Sequence, residues 1–162
     1  MARASKNQLL ADVIAEITSA FAGVSLGDGV TLHQARAIDD YQSKEHQRAV
    51  RVNDTEQSWQ EISDDKMCAF DDVFNFLDAK GWVFYIPAYM IWVLRHLDDQ
   101  TDEHSGLNYM TVFAVTDRPR PELLNSRQRR AVCSFLHYLS ENSDDWRQDA
   151  DDALERYWGS HP

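Results

Sequence analysis

Apolar side chains recur at helical spacing along most of the chain. Between Gln8 and Phe21, the positions Leu10, Val13, Ile14, Ile17 and Phe21 share one face and predict a first helix that dissolves at Gly23. Gly23 to Val30 reads as a loop. Thr31 and Gln34 then have the spacing of a capping box, and Leu32, Ala35, Ile38 and Tyr41 give the second helix a narrow apolar stripe. Gln42 to Arg51 is mostly polar. Asn53 to Gln57 reads as a turn, with Trp59 and Ile62 packing back before Ser63 or Asp64 caps a third helix.

The most apolar stretch runs from Phe70 to Leu97, and nothing between Gly81 and Leu94 is charged. Met67, Phe70, Phe74 and Leu77 lie opposite Asp71, Asp72, Asn75 and Asp78, which carries the third helix to a glycine C-cap at Gly81. Trp82 to Ile86, aromatic and branched, favours an extended segment, and Pro87 restarts the helix. Asp98 to Gly106 is a polar loop. Leu107 to Thr116 reads as a strand able to pair with Trp82 to Ile86. Asn125 or Ser126 caps a fifth helix, with Val132, Phe135, Leu136 and Leu139 inward. Ser143 caps a sixth, with Trp146, Ala150, Ala153 and Tyr157 on its inner face. The expected fold is mainly α: a compact bundle of about six helices with room for a short two-stranded antiparallel β element. It forms a single domain over residues 1–162, with 1–6 as a flexible tail. Trp82, Tyr89 and Trp92 are expected in the core.

Charge changes the picture more than length does. A net charge of -11 and a pI near 4.8 repel nucleic acid and anionic membrane but suit a basic protein partner. The charge is uneven. Residues 117–130 carry five arginines against two acids, whereas 141–156 carry seven acids against Arg147 and Arg156. Cys68 and Cys133 have no motif partners, so unbridged thiols in a reduced, cytosolic chain are expected. The first residues show no secretory signal, and the central apolar block is too short for the roughly 20 residues a membrane helix needs.

Candidate chemistry is sparse. No nucleophile elbow, phosphate-binding glycine loop or dinucleotide fingerprint is present. The six histidines include no pair four residues apart, and 98–106, with four acids and His104, lacks the alternation of a calcium loop, so no metal or cofactor is expected. Asp39 and Asp40 are adjacent and diverge on a helix. Acidic neighbours make Cys68 a poor nucleophile, and both cysteines read as structural. If a site is assembled from distant residues, Tyr85, His96, Asp98 and His104 are its candidates.

The run FNFLDAKGWVFYIPAYMIWVL, with AIDDYQ upstream and SRQRRAVCSFLHYL downstream, resembles an uncharacterised family of small bacterial proteins with an FLD, glycine, aromatic, YxPAYM centre. The resemblance runs from about Phe21 to Leu139, leaves most of the acidic last helix outside, and implies no activity or functional residues. In size and charge the chain is similar to immunity proteins, which neutralise secreted bacterial toxins. The expected function is therefore a non-enzymatic acidic binding protein of that type, whose partner is a basic toxin or effector domain. The alternatives are a nucleic-acid mimic that inhibits a DNA-binding protein, and an enzyme with a dispersed site. The expected partner surface is the sixth helix, at Asp144, Asp145, Asp149, Asp151 and Asp152, with Trp146 or Trp158 as aromatic anchor.

Overall fold

The computed structural model describes residues 5–99 and 105–159. It is built on α5 (Ala79–His96), an 18-residue helix with thirteen buried residues, Trp82, Tyr85, Tyr89 and Trp92 among them. A helix apolar on nearly every side must be enclosed by others. α1 (Lys6–Ala20) and α6 (Ser105–Thr116) pack on it. α7 (Ser126–Asn142) lies against α1, and α8 (Arg147–Ala153) against α7 and α6. α2 (Leu32–Asp39), α3 (Lys44–Ala49) and α4 (Asp64–Ala69) cover the remaining side. Eight α-helices, joined by short 3-10 turns, are present among the described residues, and no strand. None of these helices is long and apolar enough to cross a membrane.

Several caps fall where the sequence puts them. Thr31 and Gln34 form a reciprocal capping box, Ser63 accepts from the Lys66 amide, and Asn125 with Gln128 forms a second box at α7. α1 starts at Lys6, inside the expected tail. Ser5 caps it, and the Lys6 ammonium meets Asp98 at 2.9 Å.

The centre departs from expectation at three points. First, the third helix does not reach Gly81: it ends at Ala69, and the Phe70 carbonyl accepts from the Tyr89 hydroxyl at 2.7 Å. Second, Gly81 opens α5 instead of closing a helix. Asp78 is the N-cap and accepts from the amides of Gly81 at 2.8 Å and Val30 at 2.9 Å. A Cβ on Gly81 would stand 2.6 Å from the Val30 carbonyl oxygen, so this glycine serves close approach of the 29–30 backbone. Third, Trp82 to Ile86 and Leu107 to Thr116 are both helical, and the expected β pair does not form. Burial outweighs their β propensity, which measures fit to a half-buried pleated surface and not to an enclosed helix. Pro87 lies within α5, where it removes one internal hydrogen bond at the centre of the core.

The cap of the last helix comes three residues later than expected. Ser143 closes α7 instead of capping α8, and Trp146 occupies the N-cap position with no side-chain bond. After Ala153 the chain widens into a π turn over Leu154–Trp158, with the Gly159 amide donating to the Leu154 carbonyl at 2.6 Å. One extra residue per turn rotates the following side chains. Trp158 therefore faces inward in place of Tyr157, 2% exposed, with Nε1 donating to the Val115 carbonyl at 2.8 Å.

α2 ends in a Schellman motif: the Gln42 amide donates to the Ala37 carbonyl at 2.9 Å and the Tyr41 amide to that of Ile38 at 3.1 Å. The left-handed position is Tyr41, with φ 54°, and its side chain is 96% exposed. A Cβ in that region costs on the order of 1 kcal/mol, and no packing offsets it. Tyr41→Gly is expected to raise Tm by roughly 2 to 4 °C, read by thermal denaturation; a lower Tm would show that the tyrosine side chain stabilises the corner.

Candidate functional site

The acidic face expected to meet a partner is exposed on α8 and the turn before it. Asp144, Asp145, Asp149 and Asp151 point to solvent, and Asp152 is half-buried. Their internal pairings differ from the i,i+4 ladder the spacing suggests. Arg147 bonds Asp144 at 2.9 Å, Asp152 accepts from the Gln148 amide group at 2.9 Å, and Asp151 accepts from the Ser140 hydroxyl. Among the described residues, Asp145 and Asp149 beside these form no ion pair.

Of the two tryptophans expected as anchors, the structure separates one from the surface. Trp158 is enclosed by the π turn, and its carbonyl accepts from the Cys133 thiol at 3.5 Å. Trp146 is half-buried at the start of α8, 6.2 Å from the ring of Tyr109, which itself stacks on Phe113 at 6.0 Å. Tyr109 is 54% exposed. Tyr109 and Phe113 were assigned to a strand by sequence; on a helix they stand four residues apart on one face, toward α8. The seam between α6 and α8 is thus an aromatic row bordered by carboxylates.

Of the four residues of a dispersed enzyme site, the described ones are not gathered: Tyr85 stands apart from His96 and Asp98. Tyr85 is buried in mid-helix, and burial drives its hydroxyl far above the usual range. His96 is eleven residues further along α5, about 16 Å by helical rise, stacked on Trp92 with Nδ1 against the Trp92 carbonyl. Asp98 is paired with Lys6, and His104 lies outside the described residues. Among the described residues, no three His, Cys, Asp or Glu side chains gather to hold a metal ion. Cys68 and Cys133 are not joined in a disulfide, and burial is the leading reason both thiols are shifted upward.

Sequence spacing missed a polar hub under α2. Asp54, its side chain 2% exposed, accepts from the backbone amide of His33 at 3.0 Å and from His33 Nδ1 at 2.9 Å, and pairs with Lys66 at 2.7 Å. Lys66 also meets Glu56 at 2.7 Å. Burial alone would raise the Asp54 carboxyl, but the bonds from Lys66, Thr31 and His33 outweigh it and hold the group below the usual range. Nearby, Arg51 donates to the carbonyls of Gly27 and Gly29. The partners are separated by 10 to 24 residues in sequence, so no local motif announces them.

Comparison with known proteins places these features in one lineage. No curated protein matches the chain, and no solved structure matches it. One family does, over residues 9–161. The match takes in α8, which the sequence resemblance left mostly outside. With most of α1 and all of α2 to α8 inside the matched span, the chain belongs to the family of unknown function DUF6714.

Proposed function

We propose that the chain is a non-enzymatic acidic binding protein of the immunity type, which occludes a basic cognate toxin or effector domain through the seam between α6 and α8. The observation that carries this is the row of Trp146, Tyr109 and Phe113, partly open to solvent and bordered by Asp144, Asp145 and Asp149. Rigid aromatic rings surrounded by charge are the usual composition of a protein-binding centre and its rim. The carboxylates speed encounter with a basic surface, and the rings hold the complex once formed. A reducing cytosol suits two thiols that form no bridge.

The test replaces Asp144, Asp145, Asp149, Asp151 and Asp152 with asparagine and measures association with a cognate basic toxin or effector domain. The fold should survive, because asparagine keeps an acceptor for Arg147, Gln148 and Ser140. The association rate should fall and lose most of its salt dependence, since such steering is screened over about 8 Å at physiological ionic strength. Trp146→Ala should instead speed dissociation. Unchanged rates in both variants would remove this face from the mechanism.

A further inference from the structure

Where α6 ends, two arginines meet over an apolar floor. The cavity there, about 290 Å³ and open to solvent, has the buried side chains of Phe74, Leu77 and Trp82 in its lining, with half-buried Met110 and Phe113 of α6 beside them. Its only charged lining groups are Arg118 and Arg120, and among the described residues no carboxylate lines it. On a chain of net charge -11, such a cavity selects by sign as well as by polarity.

The chain itself sets the two guanidiniums in place. α6 closes with the amides of Asp117 and Arg118 both donating to the Phe113 carbonyl, at 3.0 and 3.1 Å, which turns Arg118 back toward its own helix. Its guanidinium carbon stands 5.7 Å from the centre of the Phe113 ring, and Nη1 donates to the Asn75 side-chain oxygen at 3.2 Å. That partner is neutral. The sequence then reads Arg118, Pro119, Arg120, Pro121, so each arginine precedes a proline, whose ring disfavours helical geometry in the residue before it. Arg120 accordingly has φ -128° and ψ 58°. Little backbone freedom is left to lose when a ligand arrives.

The charge of these arginines is not spent. Arg118 forms no ion pair among the described residues, and Asp117 beside it is exposed and outside the lining. Arg120 makes no side-chain hydrogen bond among the described residues, and its Nε is 3.8 Å from Glu122, beyond hydrogen-bond reach, with the Glu122 side chain 65% exposed. Two guanidiniums against one solvated carboxylate leave one positive charge unmatched at the mouth.

We infer that this cavity binds a small apolar monocarboxylate, its aryl or alkyl body on the floor of Phe74, Leu77 and Trp82 and its carboxylate between Arg118 and Arg120. Guanidinium and carboxylate share a planar, paired hydrogen-bond geometry, and a single negative charge answers the one left unmatched. A dianion such as a phosphate monoester would bring a second charge to an apolar floor without a partner for it. The volume is at the lower end of the range for small-molecule sites, which limits the body to one ring or a short chain. Phe113 is shared with the α6–α8 seam, whereas Arg118 and Arg120 lie outside that face, so the two sites are tested apart.

The test follows the Met110 methyl resonance by NMR in the full chain, labelled at its four methionines, with hydrocinnamate, hydrocinnamamide, acetate and phenyl phosphate as probes. Hydrocinnamate should shift it saturably, with a Kd of about 1 mM or tighter. The amide keeps the body without the charge, acetate keeps the charge without the body, and each should bind at least about tenfold more weakly. Phenyl phosphate should also bind more weakly than hydrocinnamate. Arg118→Gln and Arg120→Gln should each weaken hydrocinnamate while leaving the amide and the urea midpoint unchanged, which separates lost binding from lost folding. No saturable shift with any probe overturns the site. The amide binding as tightly as hydrocinnamate, or both variants binding hydrocinnamate as tightly as the parent, overturns the role of the arginines. Acetate binding as tightly overturns the apolar floor, and phenyl phosphate binding more tightly overturns the ligand class.

Discussion

Trp82→Ala is expected to lower the stability of the chain by about 3 to 5 kcal/mol, at least a fifth of the roughly 5 to 15 kcal/mol that a domain commonly has. Trp82 is 2% exposed in the first turn and a half of α5, edge-on to Phe74 with ring centres 6.5 Å apart. Its removal leaves a void beside the residues that α5 needs to pack on α6. One circumstance pulls the loss toward the lower end. An open cavity of about 290 Å³, lined by Trp82 together with Met110, Phe113 and Arg118, lets neighbours relax inward. The measurement is a urea transition, in which the midpoint falls and the slope is kept. An unchanged midpoint would place Trp82 outside the core.

Asp54→Ala is expected to cost about 3 kcal/mol, the lower part of the range for breaking a buried ion pair by removing one partner. The change leaves the Lys66 ammonium half-compensated, because Glu56 remains, and it leaves the His33 amide without its acceptor. Asp54→Asn keeps an acceptor and loses the charge, so it should cost less. The pH dependence separates charge from shape. The Asp54 carboxyl is held below its ordinary 3.8, so its contribution is fully present above that value and is lost as pH falls through the folded-state value. For Lys66, burial opposes the ammonium, but Asp54 and Glu56 outweigh it and the group is raised above 10.5. Its contribution is present below that value and is lost as pH rises past it. The gap in stability between the parent and Asp54→Asn should therefore be flat between these limits and narrow below about pH 4. A gap that stays constant down to pH 2 would mean the carboxylate charge contributes nothing.

What could be read from the residues was what short-range chemistry decides. A threonine three residues before a glutamine, or an asparagine before an amphipathic run, caps a helix whatever surrounds it, and Thr31, Ser63 and Asn125 all do so. The misreadings occurred where a distant segment takes over. Gly81 looks like a terminator in its own strand of text, and only the approach of Val30 shows that it is an opening. The aromatic run after it prefers an extended chain in isolation and becomes helix because α1, α6 and the Trp59–Glu61 turn pack around it. A single widened turn moved Trp158 from a candidate anchor into the interior, and a period of 3.6 could not have signalled that. Asp54 was passed over as part of a turn, since its partners are drawn from α2 and α4.

The excursion between α2 and the Trp59 turn has a further consequence. α3 and the 3-10 turn at Val50–Asn53 contain no buried side chain, and the segment is tied to the body by Arg51 and Asp54. Substitutions at its exposed positions, such as Glu45, Arg48 and Val52, remove no buried side chain and should act independently of the core. Most proteins spend stability when a recognition surface changes, because new contacts are carved from structural residues. Here the exposed positions of α3 can change while Arg51 and Asp54 hold the segment in place, so this corner can vary at little cost to the fold.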